Sequence, residues 1–252
     1  MDSRLRIIAI AASATLLVTE SYAASDVPAR LAPRTMTLPK ANLRLDNGAY
    51  WPLPQGLAET TFVKIPDGRD TFTRVNFGFG IGIVPNLELG FHVIRWDLEP
   101  ESDLRDPSAY VIYRFLRRDV ELGVFGEVSL PLQDRERITA GMPVAFHLGD
   151  AVRLDTGPFI VKRFQPGDDP DLVVPFELPI SPSDHVYLGP EVGLMLRDFD
   201  RSDGFVGFFA GYTLRNGGRA LGDLGGRFRM PSTRAGFDVF QLQFEMRFYF
   251  GL

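Results

Sequence analysis

Phe240-Gln241-Leu242-Gln243-Phe244-Glu245-Met246-Arg247-Phe248-Tyr249-Phe250-Gly251-Leu252 alternates without a break. Phe240, Leu242, Phe244, Met246, Phe248, Phe250 and Leu252 fall on one face; Gln241, Gln243, Glu245, Arg247, Tyr249 and Gly251 fall on the other. A period of two over this length predicts one long strand with an apolar face and a polar, charged face. In water the apolar face would need a helical layer or a second sheet over it, and the chain offers no amphipathic helix. Lipid is the other solvent that accepts such a face, and a spanning strand needs roughly 9–11 residues.

The same reading extends upstream through a short pattern of turn residues, then apolar–polar–apolar, then glycine. It occurs as Pro85-Asn86-Leu87-Glu88-Leu89-Gly90 and as Arg118-Asp119-Val120-Glu121-Leu122-Gly123. It returns at Val152 to Gly157 and at Ser183 to Gly189, with a weak copy from Asn216 to Gly225. The spacing is roughly 33 residues, which is enough for two strands, a short turn and a longer loop. The predicted fold is all-β: an up-and-down antiparallel transmembrane β-barrel of about 12 strands. The strands are expected near 41–51, 70–83, 86–97, 108–117, 119–131, 141–148, 151–163, 171–180, 184–197, 204–215, 219–230 and 236–252. Leu43 to Trp51 is taken as the first strand, and Glu59 to Ile65 is left in an outer loop to keep the count even. Pro175 and Pro179 predict a bulge, since each removes a ladder donor. Strand 219–230 has the poorest alternation. Tyr50, Trp51, Trp96 and Tyr110 are placed at one membrane interface, and Tyr212, Phe248 and Phe250 at the other.

Arg4 and Arg6, the apolar run Ile7 to Val18, and Ser21-Tyr22-Ala23 describe a secretory signal peptide over 1–23. Residues 24–40 are polar and Pro-containing, and are expected to be either a periplasmic segment or a plug folded into the lumen. Residues 41–252 are assigned to the barrel. There are no cysteines, so disulfides and thiolate metal sites are excluded and stability rests on packing and backbone pairing. The formal net charge is −5, with no basic stripe, which argues against nucleic acid as a partner. Mean hydropathy lies near zero, as expected for strands that face lipid on one side and a lumen on the other.

The alternation turns Arg74, Glu88, His92, Arg114, Glu121, Glu127, Arg153, Asp155, Glu177, Glu191, Glu245 and Arg247 inward, along with His147, Asp223 and Arg227. Such charges must be paired or hydrated. They form either a network that fills the barrel or the wall of a water-filled passage with a mild cation preference. Inward glycines (Gly78, Gly80, Gly82, Gly90, Gly123, Gly157, Gly189, Gly193, Gly207 and Gly211) are expected to widen it.

Chemistry is sparse. A hydrolase would need a hydroxyl activated by a base. The three histidines, His92, His147 and His185, are scattered, and only His185 has serines nearby, Ser181 and Ser183. Those serines lie in a Pro- and Ser-rich turn, where such residues occur for conformational reasons, so no catalytic residue is assigned. No metal or cofactor site is assigned either. The acidic stretches 97–106, 167–171 and 198–204 read as solvated loops whose carboxylates suit divalent cations bridging to lipopolysaccharide. The last misses the spacing of a calcium loop. The Gly-x-Gly run at 78–82 lies inside a strand with no helix after it, so it is no nucleotide fingerprint.

The terminus Phe240 to Leu252 is similar to the C-terminal signature of bacterial outer-membrane barrels, which implies the barrel-assembly machinery as a partner. The hairpin Gly82-Ile83-Val84-Pro85-Asn86-Leu87-Glu88-Leu89-Gly90, preceded by Leu38-Pro39-Lys40, resembles transporter-like outer-membrane proteins of Gram-negative bacteria. It looks most like the family named for the meta-pathway of phenol degradation. Pro85 replaces the acidic turn residue of that pattern. The resemblance implies a porin-like, monomeric barrel in the cell outer membrane, surrounded by lipid and lipopolysaccharide and passing small solutes, organic compounds among them. The alternatives are a barrel hydrolase acting on outer-membrane lipid, and a structural or adhesive barrel working through its acidic loops.

Overall fold

A spanning strand carries a row of N–H and C=O groups on each edge, and in hydrocarbon both rows need partners. The chain meets that demand by closure. The computed structural model describes residues 25–47, 62–64, 72–99, 103–105, 107–129, 137–164, 169–197, 199, 201–230, 233 and 240–252. The expected signal peptide, Tyr50, Trp51 and parts of the acidic loops (100–102, 106, 167–168, 198 and 200) lie outside the described residues, as do the side chains of Arg74 and Trp96. The regular elements among the described residues are all strands: β1 (Asn42–Asn47), β2 (Phe62–Lys64), β3 (Phe72–Val84), β4 (Leu87–Glu99), β5 (Asp103–Arg105), β6 (Ser108–Leu116), β7 (Val120–Ser129), β8 (Arg137–Gly141), β9 (Val144–His147), β10 (Arg153–Thr156), β11 (Phe159–Arg163), β12 (Asp171–Glu177), β13 (Val186–Arg197), β14 (Arg201–Asn216), β15 (Arg219–Met230) and β16 (Phe240–Gly251).

These 16 segments form one antiparallel sheet. They merge into twelve staves, because β1 continues into β2, β5 into β6, β8 into β9, and β10 into β11 along shared neighbours. The cylinder closes where Asn42 to Asn47 of β1 pair with Gly251 to Met246 of β16, and β2 pairs with the other end of that strand. Closure leaves the sheet with no edge strand among the described residues.

Every stave contributes an exposed apolar side chain to the outer surface. Leu45, Phe77, Leu89, Val111, Val124, Ile138, Ile160, Phe176, Leu188, Phe208, Leu224 and Phe244 do so in turn around the cylinder. Phe244 is 63% exposed while its neighbour Gln243 is 2% exposed, the inverse of a soluble sheet. A continuous belt of this size has no counterpart on a water-soluble monomer. It fits hydrocarbon.

Four local expectations need correction or refinement. The two rivals for the first strand share one stave: β1 and β2 both run antiparallel to β3 and to β16. Phe62 to Lys64 is thus part of the wall rather than of an outer loop. The poor alternation of 219–230 has a local cause. Arg215 pairs with Ala220 and Leu214 with Gly222, so Leu221 is an extra residue that resets the phase. Ala220 and Asp223 both come out buried, although three positions apart. At the prolines, Pro175 sits inside β12 in unbroken register opposite Gly193, so no bulge forms there. β12 stops at Glu177, two residues before Pro179, and beyond it Leu178 N donates to Pro190 O and Ile180 bridges Val152 and Leu188.

The inward glycines do not widen the lumen. Gly90 pairs directly with Tyr110, Gly141 with Phe159, Gly193 with Phe205, Gly211 with Tyr187 and Gly189 with Phe209. In each pair a Cβ on the glycine would run into the partner's ring. The rings lie over neighbouring glycines and fill the space that the missing side chains vacate. Gly211→Val is therefore expected to lower unfolding stability by roughly 1–3 kcal/mol, the cost of overpacking. Denaturant titration of the lipid-reconstituted barrel measures this, and Gly218→Val is the control because nothing lies near that position.

Candidate functional site

If one face of each strand meets lipid, the other meets the lumen, and the chemistry must lie there. Of the twelve residues expected to line it, ten are buried: Glu88, Arg114, Glu121, Glu127, Arg153, Asp155, Glu177, Glu191, Glu245 and Arg247. The side chain of His92 is 12% exposed. These side chains are covered both by each other and by residues 25–40.

That segment enters at the end that holds the short turns and both ends of the wall. Ala29 N donates to Gly218 O (2.9 Å), Ala220 N donates to Val27 O (2.8 Å), and Ser25 Oγ donates to Ala220 O. Beyond this tether the wall is reached mostly through its side chains. Ala32 N donates to Ser181 Oγ (3.1 Å), Met36 N to Glu121 Oε2 (2.7 Å) and Leu38 N to Glu88 Oε2 (2.8 Å). Arg153 donates to Arg34 O (2.7 Å), and the Nδ1–H of His147 to Ala32 O (3.0 Å). Three apolar clusters seat the segment: Met36 with Tyr110, Ile112, Phe125, Ala145 and Phe159; Val27 and Leu38 with Ala220 and Tyr249; Leu31 with Tyr187 and Phe209.

Arg34 is the polar centre. Its Nη1 and Nη2 lie 2.6 and 3.0 Å from the two oxygens of Asp223, a fork in which each nitrogen meets its own oxygen. Nη2 also reaches Thr213 Oγ1 (3.2 Å), and Nη1 reaches Tyr249 Oη (3.3 Å). Nε donates to Pro28 O and Nη2 to Ala29 O, both at 2.7 Å, which folds the segment around its own guanidinium. A cavity of about 40 Å³ remains between Arg34, residues 35–39 and wall residues Arg44, Glu88, Arg153, Arg247 and Tyr249.

Elsewhere the wall neutralises itself. Arg229 forks onto Glu191 (2.9 and 2.8 Å), and Arg227 bonds Glu191 and Glu177 (3.0 Å to the latter). Both guanidiniums lie over aromatic faces, Arg229 on Phe205 at 4.4 Å and Arg227 on Phe209 at 5.2 Å. His92 and Ser108 gather at Glu127, whose Oε1 accepts from Ser108 Oγ at 2.6 Å. Arg114 pairs with Glu121 (3.1 Å) and Arg247 with Glu245 (2.7 Å). In water such pairs are worth little; away from it, removing one partner costs about 3–5 kcal/mol. Arg44, Asp46, Arg229 and Gln243 are further buried members. Inward phase alone would have placed all four, since Arg44 and Asp46 alternate with Leu43 and Leu45 as Arg229 and Gln243 do with their own apolar neighbours.

The His185 turn does not assemble a nucleophile. The Nδ1–H of His185 donates to Thr213 O (3.2 Å), and its Nε2 accepts from Arg215 Nε (2.9 Å). Ser183 Oγ accepts from the backbone N–H groups of His185 and Val186, and Ser181 Oγ accepts from Ala32 N. Both ring nitrogens are thus committed to groups other than a serine. Asp184 bridges Arg215 (3.0 Å) and Arg30 of the entering segment (3.2 Å). Among the described residues, no group of three or more His, Asp or Glu side chains is placed to hold a metal ion. Asp171, from one acidic stretch, pairs with Arg163 (3.0 Å).

No family model matches the chain, so the resemblance to the phenol-degradation family gains nothing from that comparison. No curated protein matches it either. Among solved structures, it is similar to the crystal structure of the outer membrane channel DcaP of Acinetobacter baumannii. The identity is 10% and the TM-score 0.34, over 83% of this chain and 70% of that one.

Arg34→Ala leaves Asp223 buried without its counter-charge, and is expected to loosen residues 25–40 by about 3–5 kcal/mol. The chain has no cysteine, so a single Ala32→Cys reports on this without background. Its thiol should resist maleimide in the parent barrel and react at least ten-fold faster once Arg34→Ala is added. Equal rates would show that the ion pair does not hold the segment.

Proposed function

We propose that the chain is a monomeric outer-membrane barrel that lets small solutes cross through its charged lumen, with residues 25–40 as the element that occludes it. One observation carries this reading. The segment fills the lumen but contributes no strand to the wall, so removing it would leave every inter-strand ladder intact. Besides the rings that seat it, the segment covers polar groups: Glu88, Glu121, Arg153, Asp223 and Ser181 all face the space it occupies. Charged walls of this kind are costly as packing material and suited to hydrated solutes. The apolar belt supports lipid as the surroundings. The aromatic C-terminal strand supports insertion by the barrel-assembly machinery, with lipopolysaccharide around the outer rim. Small organic compounds are the solutes that the family resemblance would supply.

On this reading a solute passes two levels. The lower is the space now held by residues 31–38. The upper is the arc of Arg227, Arg229, Glu177 and Glu191, which joins β12, β13 and β15.

Planar-bilayer recording tests the proposal. The complete barrel is expected to show rare or small conductance steps, and deletion of residues 25–38 sustained ones. A deletion variant that folds, as judged by heat-modifiable migration in gels, yet carries no current would contradict it and favour a filled structural barrel.

A further inference from the structure

We infer that the wall site now filled by Arg34 is the binding site for a cationic head group, guanidinium or primary ammonium, of the solute that crosses. The segment then acts as a built-in occupant of the solute's own site. This rests on the reading of the barrel as a conduit.

Three adjacent staves build the site before any occupant arrives. Thr213 comes from β14, Asp223 from β15 and Tyr249 from β16. Thr213 Oγ1 donates to Asp223 Oδ1 at 2.7 Å, and Tyr249 Oη donates to Oδ2 at 2.8 Å. Both hydroxyls spend their proton on the carboxylate, so what each offers an occupant is a lone pair. The Tyr249 ring presents its face 5.4 Å from the guanidinium carbon, the placement at which an aromatic ring attracts a cation. Carboxylate, two oriented acceptors and a π face together select a planar or compact cation with several N–H donors. They offer an anion nothing.

The surroundings point the same way. Leu38 and Met36 satisfy Glu88 and Glu121 through backbone N–H groups. With the segment displaced, Asp223, Glu88 and Glu121 each lose a donor. Arg153 loses carbonyl partners but keeps Asp155 at 2.8 Å. Arg247, the cross-strand neighbour of Asp223, is held by Glu245 at 2.7 Å. Apart from Arg34, the buried charges among the described residues comprise ten carboxylates and six guanidiniums. Carboxylates therefore outnumber guanidiniums over the buried wall as a whole, and the guanidiniums beside the vacated space, Arg44, Arg153 and Arg247, already hold wall carboxylates of their own, Glu88, Asp155 and Glu245.

The test uses the full chain carrying Ala32→Cys, with Arg34→Ala alone and with Arg34→Ala plus Asp223→Asn. Heat-modifiability confirms that both barrels are folded. Millimolar guanidinium chloride is expected to restore maleimide protection at position 32 in the first variant and to do nothing in the second. In bilayers the first variant should prefer cations, and guanidinium or L-argininamide should block it at concentrations at least ten-fold below those of glucose or benzoate. Asp223→Asn should raise the blocking concentration at least ten-fold. Protection that guanidinium fails to restore, or block that ignores Asp223→Asn, overturns the inference. Restored protection without any current keeps the cation site but removes the conduit, and so overturns the proposed function instead.

Discussion

The solvent order of this molecule is inverted, and the rest of the structure follows from that. Apolar side chains occupy the outer surface of a closed sheet, and charges occupy the interior. Hydrocarbon outside removes any need for a second layer over the sheet, so the wall is a single sheet thick. It also forbids an unpaired edge, which is why Asn42 to Asn47 must reach Met246 to Gly251. Once the polar face is turned inward, its charges have only three recourses: one another, water, or another segment of the same chain. All the local chemistry of the lumen is a choice among these.

The segment at residues 25–40 shows how that choice combines with packing. Its apolar residues seat against aromatic rings, and those rings themselves lie over glycines of the next stave. Glycine, ring and segment thus form a layered filling in which each layer depends on the one beneath it. Arg34 carries a buried charge from segment to wall at the centre of this arrangement, while Arg30 and Asp26 pair with Asp184 and Arg219 in more exposed positions. An apolar segment alone would fill the volume and leave Asp223 uncompensated. A charged one without the rings would have little to bury.

How much of this could be read in the sequence depended on how local each signal is. The outward face of β16 is written in consecutive residues, and its alternation survives intact in the exposures of Gln243, Phe244 and Glu245. The inward set from Glu88 to Arg247 followed from the same rule. The rule failed where the backbone departs from it. Leu221 resets the phase of β15 beside Gly222, one of several glycines in that strand and not set apart from the others, and the first stave consists of two separate segments, β1 and β2, that no periodicity joins. Glycines were legible as inward positions but not as berths for rings, because the ring belongs to a different strand. Arg34 was illegible for the same reason at longer range. Its partner lies 189 residues away in sequence, and nothing in residues 24–40 distinguishes a plug from a tail.

Which solvent touches each face of the wall decides all of this. Spin labels at single cysteines introduced at Phe244, Leu194 and Gln243 of the reconstituted barrel measure it directly. Collision with oxygen reports hydrocarbon, and collision with a water-soluble nickel chelate reports water. The labels at 244 and 194 should be accessible to oxygen and shielded from nickel, while the label at 243 should be shielded from oxygen. Labels at 244 and 194 that collide freely with nickel, or that meet neither reagent because a protein layer covers them, would contradict the barrel and everything inferred from its interior.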